Sequence, residues 1–352
     1  MMTGRERLLS ALAHKEPDTV PISEFIYSRP LLREVLGYAP EVYEVEAIFE
    51  CMEKIGYDFA VIPFQGVAGY RPAHMEKEIY QDEWGITYKR DLNLWPIDGP
   101  IGAPLRDGND WENYTMPDAS EDWRYEGLRN VVKRSRENGM GVIGNARGPY
   151  SASWLLFGMQ DFSCLFYEEP ETVDSVLSAL TDFAIVSFLK MAKIGVDALL
   201  FSDDYGSTQG PLFSPAHFRR FIKPQIIRLV EEAGKLGLPL IMHSDGHVFP
   251  FMEDCVSAGI KGWHPIERAA GMDLGKTKEI YGDRLCLFGN VDNKFQLAQG
   301  TPESIAGQVK ECIEIAAHGG GYCLMSDHSV NDSVPNRNVF ALYEAGRRYG
   351  RY

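Results

Sequence analysis

With 352 residues, 45% of them hydrophobic, the chain has enough apolar material for one large α/β domain or two ordinary ones, which excludes a disordered or fibrous protein. A net charge of -15 with thinly spread Lys and Arg leaves no basic stripe for phosphate neutralisation, so nucleic-acid binding is not expected. Residues 1–12 carry charges without a following apolar core, and no window approaches the ~18 uninterrupted apolar residues of a membrane span, so a cytoplasmic location with no membrane attachment is expected.

Short apolar strands alternate with amphipathic helical segments. The strand candidates are residues 20–25, 59–64, 141–146, 198–202, 239–243, 262–265, 285–289 and 322–326. The first ends at Glu24 and Phe25, with Tyr27 just beyond; the second is followed by Gln65. Residues 66–122 then break the rhythm. This stretch is rich in Pro, Gly, Asp and Trp, and residues 78–90 alternate around a turn like a β-hairpin, so it is expected as an insertion folded over the mouth of the domain, as a flap or a substrate cover.

The third strand leads into Asn145 and Arg147-Gly-Pro-Tyr150, with Trp154 and Phe157 downstream: an anion or loop anchor beside an aromatic wall. Helix 171–194 precedes the fourth strand, which ends in Asp203-Asp204. Adjacent carboxylates repel, and one can hold its proton and act as acid or base. Asp203 is expected to cap the next turn while Asp204 faces the pocket. Helix 215–236 leads to the fifth strand, which runs straight into His243-Ser-Asp-Gly246. Helix 249–258 is followed by the sixth strand with His264 and Glu267, helix 274–281 by the seventh with Asn290 and Asp292, and helix 302–318 by the eighth with Asp327-His328.

Thr301-Pro302 and Ser214-Pro215 read as an N-cap followed by proline at the first helical position, and Gly195, Gly237, Gly259 and Gly282 stand where left-handed caps are needed. Eight such units predict a (β/α)₈ TIM barrel forming one domain over residues 1–352, with its site at the C-terminal ends of the strands. The six cysteines show no C-x-x-C pair and are expected as buried thiols, and His14, His74, His217 and His318 as surface or packing residues.

His243 and Asp245, two apart, can share one ion, and His328 reaches it across the mouth from the eighth strand. Two imidazoles and a carboxylate with an open position suit catalytic zinc or another divalent metal; hydrogen bonding to the loops is the alternative. Asp204, His243 and Asp292 are the candidate catalytic groups. Phe25, Tyr27, Gln65, Asn145, Tyr150, Trp154 and His264 are the candidate substrate contacts, the aromatic ones able to frame a flat or methoxylated ring.

Several motifs together resemble the uroporphyrinogen decarboxylase superfamily: residues 201–215 with Ser-Asp-Asp-Tyr-Gly, Ile222-Lys-Pro224, His243-Ser-Asp-Gly246, Gly289-Asn-Val-Asp292, Gly300-Thr-Pro302, and Asp82-Glu-Trp-Gly85 in the insertion. The resemblance implies a (β/α)₈ barrel and one of two activities, cofactor-free decarboxylation of uroporphyrinogen or zinc-dependent methyl transfer involving a corrinoid on a partner protein. The decarboxylases' Arg-rich N-terminal motif, which grips a poly-acid, is replaced here by Glu24-Phe-Ile-Tyr-Ser-Arg-Pro30. Thiol-methylating members have His-x-Cys on the fifth strand and a second Cys on the eighth, where this chain has Asp245 and His328.

Exchanging thiolates for a carboxylate and an imidazole implies a harder metal and an oxygen-bearing substrate. The resemblance therefore implies O-demethylation of a small methoxylated, aromatic compound, the methyl group passing to cobalamin supplied by a corrinoid-binding protein. No Asp-x-His-x-x-Gly corrinoid motif occurs in the chain itself. The alternatives are a metal-free decarboxylase of a small acid or tetrapyrrole, or a methylcobalamin-dependent methyltransferase acting on a thiol or other acceptor. A homodimer is compatible with the fold.

Overall fold

The computed structural model of the chain describes residues 1–71 and 76–352, so His74 lies outside the described residues. Seven parallel strands lie side by side in chain order: β1 (Phe59–Pro63), β2 (Gly141–Arg147), β3 (Ala198–Ser202), β4 (Leu240–His243), β5 (Gly262–His264), β6 (Cys286–Val291) and β7 (Tyr322–Ser326). The expected first strand closes this curled sheet without forming a ladder. Leu324 N donates to Pro21 O at 2.9 Å on the β7 side, and Asp58 N donates to Ile22 O at 2.9 Å on the β1 side. Two local features prevent regular pairing: Pro21 has no N–H to give, and the Ile22 N–H goes to the Asp58 carboxylate at 2.8 Å. The result is a TIM-barrel fold whose seam between β7 and β1 is an extended, side-chain-tied segment.

Two apolar layers follow from strand alternation. Inward positions such as Phe59, Val61, Ile143, Leu200, Ile241 and Phe288 pack with Leu8, Ala11 and Leu12 of helix Gly4–Leu12, which plugs the bottom of the barrel. Outward positions pack against the surrounding helices. Helix Pro170–Ile194 is long and apolar enough to cross a membrane, and here it packs against helices Pro149–Phe157, Met159–Glu168 and Lys223–Lys235. Of the six cysteines, all free, five are buried as expected and Cys164 is exposed.

The structure differs from the expected elements in three places. Residues 215–236 are not one α-helix: a π-helical turn, Phe218–Ile222, separates Pro215–His217 from Lys223–Lys235, because Pro224 cannot supply the N–H that regular winding needs. Gly282 stays helical at φ -66, whereas Gly195, Gly237 and Gly259 take the left-handed cap. The insertion holds the expected hairpin, Ile79–Gln81 with Thr87–Lys89, and adds an unexpected third antiparallel strand, Gly99–Gly102. Its anchors are a buried Arg71–Asp98 ion pair, joined by the Tyr80 hydroxyl at 2.8 Å from Asp98, and Arg124 bound to Glu83.

Candidate functional site

Continuing the inward alternation beyond Ile143, Leu200 and Ile241 brings Asn145 and Arg147, Ser202 and Asp204, and His243 and Asp245 to the barrel mouth. Register confirms the row: Arg147 pairs with Ser202, Ser202 with His243, and His243 with His264. Apolar periodicity below thus becomes a polar rim above.

Asp204, His243 and Asp245 each offer a ligand atom, all within 4.8 Å of one another. His243 Nε2 stands 3.8 Å from Asp204 Oδ1 and 3.7 Å from Asp245 Oδ2. Its other nitrogen, Nδ1, lies 2.7 Å from Nδ1 of His264. Phe25 meets both rings edge-on, at centroid distances of 5.7 and 4.8 Å. His328 joins this group through Asp245 alone, Nε2 to Oδ2 at 3.3 Å, with its side chain 52% exposed.

Burial, then the Asp245 charge, raises the Asp204 carboxyl. Burial would also raise Asp245, but His243 and His328 together hold it well below the usual carboxylate range. Its hydrogen bond to Asp245 lifts His328 to about 9. Burial and the neighbouring His243 push His264 far down, so it is neutral. The two Nδ1 atoms share one proton between the rings, and Nε2 of His264 is buried with no partner among the described residues.

Backbone contacts fix the two carboxylate loops against each other. Asp245 N donates to Asp204 Oδ1 at 3.1 Å and His247 N to Ser207 O at 2.9 Å. At Gly246, φ +85, a Cβ would stand 2.3 Å from the Gly206 carbonyl carbon, so glycine is required by both conformation and space. Gly246 N also donates to Glu267 Oε2 at 2.6 Å.

Asp203 and Asp204 divide their roles as expected, with one change of partner. Asp203 caps the start of helix Pro149–Phe157 rather than the turn that follows it, accepting from Tyr150 N at 3.2 Å and Ser151 N at 2.5 Å, and from the Tyr205 hydroxyl at 2.7 Å. Asp292 caps the turn Asn293–Leu297 through Phe295 N at 2.8 Å and has no contact with the His243 cluster among the described residues. Gln65 is exposed. Tyr150 is buried against Phe162, Tyr205 and Phe213, and Trp154 is half-buried on the same helix. Phe25 touches the cluster through the His243 ring, Tyr27 packs beside Phe25, and the Tyr27 hydroxyl lies 3.0 Å from that of Tyr70.

One functional arrangement was not expected from sequence. Ser326 Oγ lies 2.7 Å from Glu24 Oε2 and 2.5 Å from His328 O. A carbonyl can only accept, so the single serine proton goes to His328 O and Glu24 Oε2 must itself donate. Glu24 is therefore a neutral acid, consistent with burial raising it to about 8. It braces the backbone of the loop carrying His328. A Glu between Ser23 and Phe25, at the end of an apolar run, was its only sequence signal.

Residues 91–349 match the family model for uroporphyrinogen decarboxylase (URO-D). The chain belongs to the URO-D family. Within it, the chain is 26% identical over 276 residues to a uroporphyrinogen decarboxylase of Coxiella burnetii, covering 74% of this chain and 72% of the relative. It is also 26% identical over 208 residues to methylcobamide:CoM methyltransferase MtaA of Methanosarcina barkeri, covering 59% and 58%. A solved methyltransferase from Methanosarcina mazei shares the URO-D fold at a TM-score of 0.76 and 23% identity, over 99% of both chains.

Proposed function

We propose that this URO-D family chain is a corrinoid-dependent methyltransferase that removes the methyl group of a methoxylated aromatic compound and delivers it to cobalamin on a separate corrinoid protein. The observation that carries the reading is the compact Asp204–His243–Asp245 cluster at the barrel mouth, ringed by polar groups and free of cysteine. Its oxygen and imidazole donors suit a hard or borderline cation, zinc or another divalent metal, and Asp245 Oδ1, buried with no partner among the described residues, leaves an acceptor for it. When bound, such a metal would polarise the ether oxygen. His243 and Asp245 would hold it, with Asp204 or His328 completing the set.

The chain's own groups do the remaining work. His264 fixes the ring of His243 from behind, as the outer partner of a ligating histidine does. As the methyl carbon–oxygen bond breaks, its electron pair stays on the leaving oxygen, and with Asp204 as the third metal ligand, His328, exposed at the rim beside Asp245, would give that oxygen a proton. Phe25 and Tyr27 would orient the ring, with Asn145, Gln65, Tyr150 and Trp154 as further candidates.

A second reading, decarboxylation of a small acid, draws on the Coxiella burnetii relative. A poly-acid is disfavoured because Arg29, the one cation in residues 24–30, is already paired with Asp332. Metal analysis, then incubation with a reduced corrinoid protein and a panel of methoxylated arenes, separates the two. The proposal expects stoichiometric metal and the spectrum of methylated corrinoid, both lost to chelator; carbon dioxide release without corrinoid methylation overturns it.

A further inference from the structure

Arg147 ends β2 in the same row as His243, two strands away, and it is half-buried. Among the described residues its guanidinium has neither an ion-pair nor a hydrogen-bond partner, and its Nε is buried. Other arginines around the mouth are matched: Arg29 with Asp332, Arg71 with Asp98, Arg124 with Glu83, Arg268 with Glu311. Asp204, Tyr27 and Tyr70 lie within reach of its charge. The insertion presses on it: a Cβ on Gly69, φ +94, would come within 3.0 Å of Arg147 Nη2.

The groups beside it are donors too. Asn145 points inward from the same strand; its carbonyl oxygen accepts from the Ser202 hydroxyl at 3.0 Å, and its NH₂ has no acceptor among the described residues. Tyr27 and Tyr70 share one proton between their oxygens, leaving the other hydroxyl proton without an acceptor among the described residues. A guanidinium, an amide NH₂ and a phenol on this side of the mouth thus have protons with no hydrogen-bond acceptor among the described residues.

We propose that this corner of the mouth is an anion subsite in which Arg147, assisted by Asn145 and the Tyr27–Tyr70 pair, grips a carboxylate on the substrate. The planar fork of arginine matches a carboxylate bidentately. Arg147 and His243 stand two strand spacings apart, about 10 Å between backbones, a span that an aromatic ring bearing a carboxylate at one end and a methoxy group at the other can bridge. The inference rests on the proposed O-demethylation and narrows it to methoxylated aromatic acids.

The test is isothermal titration of the protein as purified with the methoxybenzoates and their uncharged amides, in the absence of any corrinoid protein. At least one acid should bind about 30-fold or more tighter than its amide. Arg147→Met should reduce that preference to within about 3-fold while leaving amide affinity unchanged, and Arg147→Lys should restore part of it, a rescue that a folding defect would not give. Equal binding of acid and amide, an undiminished preference in Arg147→Met, or no binding of any acid overturns the subsite. If Arg147→Met does not fold, the acid-to-amide ratio in the native protein still decides. Methyl transfer from neutral methoxyarenes without an acid preference removes the subsite and leaves the proposed function standing; an Arg147-dependent preference without methyl transfer does the reverse.

Discussion

His243 and His264 meet nitrogen to nitrogen, Nδ1 to Nδ1 at 2.7 Å, so that the paired β4 and β5 strand ends aim the remaining nitrogen of His243 between two carboxylates. This contact fixes both the tautomer and the direction of the ring.

Replacing His264 by Phe keeps the volume but removes the Nδ1 partner. Metal affinity should fall about 10- to 100-fold, read by competition with a chromophoric chelator; unchanged affinity would mean that His243 needs no such support.

Asp245→Asn should bring His328 down from about 9 toward the ordinary histidine range, since the Asp245 hydrogen bond and charge are the main causes of its rise. The ring-proton titration of His328 by NMR in chelator-treated protein checks this.

Asp203→Ala removes the cap of two amides and the acceptor of the Tyr205 hydroxyl inside the fold. The cost should be about 3 kcal/mol, measured as a lower denaturant midpoint, with the fold retained.

Glu24 keeps its proton in the folded protein up to about pH 8, while the unfolded chain releases it in the ordinary carboxylate range. Between those values folding takes up a proton, so stability is full below the window and falls as pH rises through it. Glu24→Gln keeps a donor toward Ser326 and does not titrate. Its melting temperature should therefore decline less than the native protein's between pH 5 and 8; parallel curves would show that Glu24 is ionised throughout.

Much of the frame was legible because apolar runs of strand length ended repeatedly in His, Asp or Asn, a pattern that alternation carries directly to one rim. Asp204, His243 and Asp245 were found in this way. The positions that went unread depend on contacts distant in sequence. The seam strand makes one bridge, Ile22 to Leu324, and no ladder, in part because Asp58, 36 residues from Ile22, takes the Ile22 N–H. Glu24 keeps its proton because the fold buries it, against a partner, Ser326, that lies 302 residues away. Asp292 looked like a free acid at a strand end, but the helical turn immediately after it takes its oxygen.

The backbone contact between Gly206 and Gly246 joins the two loops bearing the central carboxylates into a single stiff jaw. A substitution that enlarges either glycine would therefore disturb both carboxylates at once, although neither glycine carries a functional group.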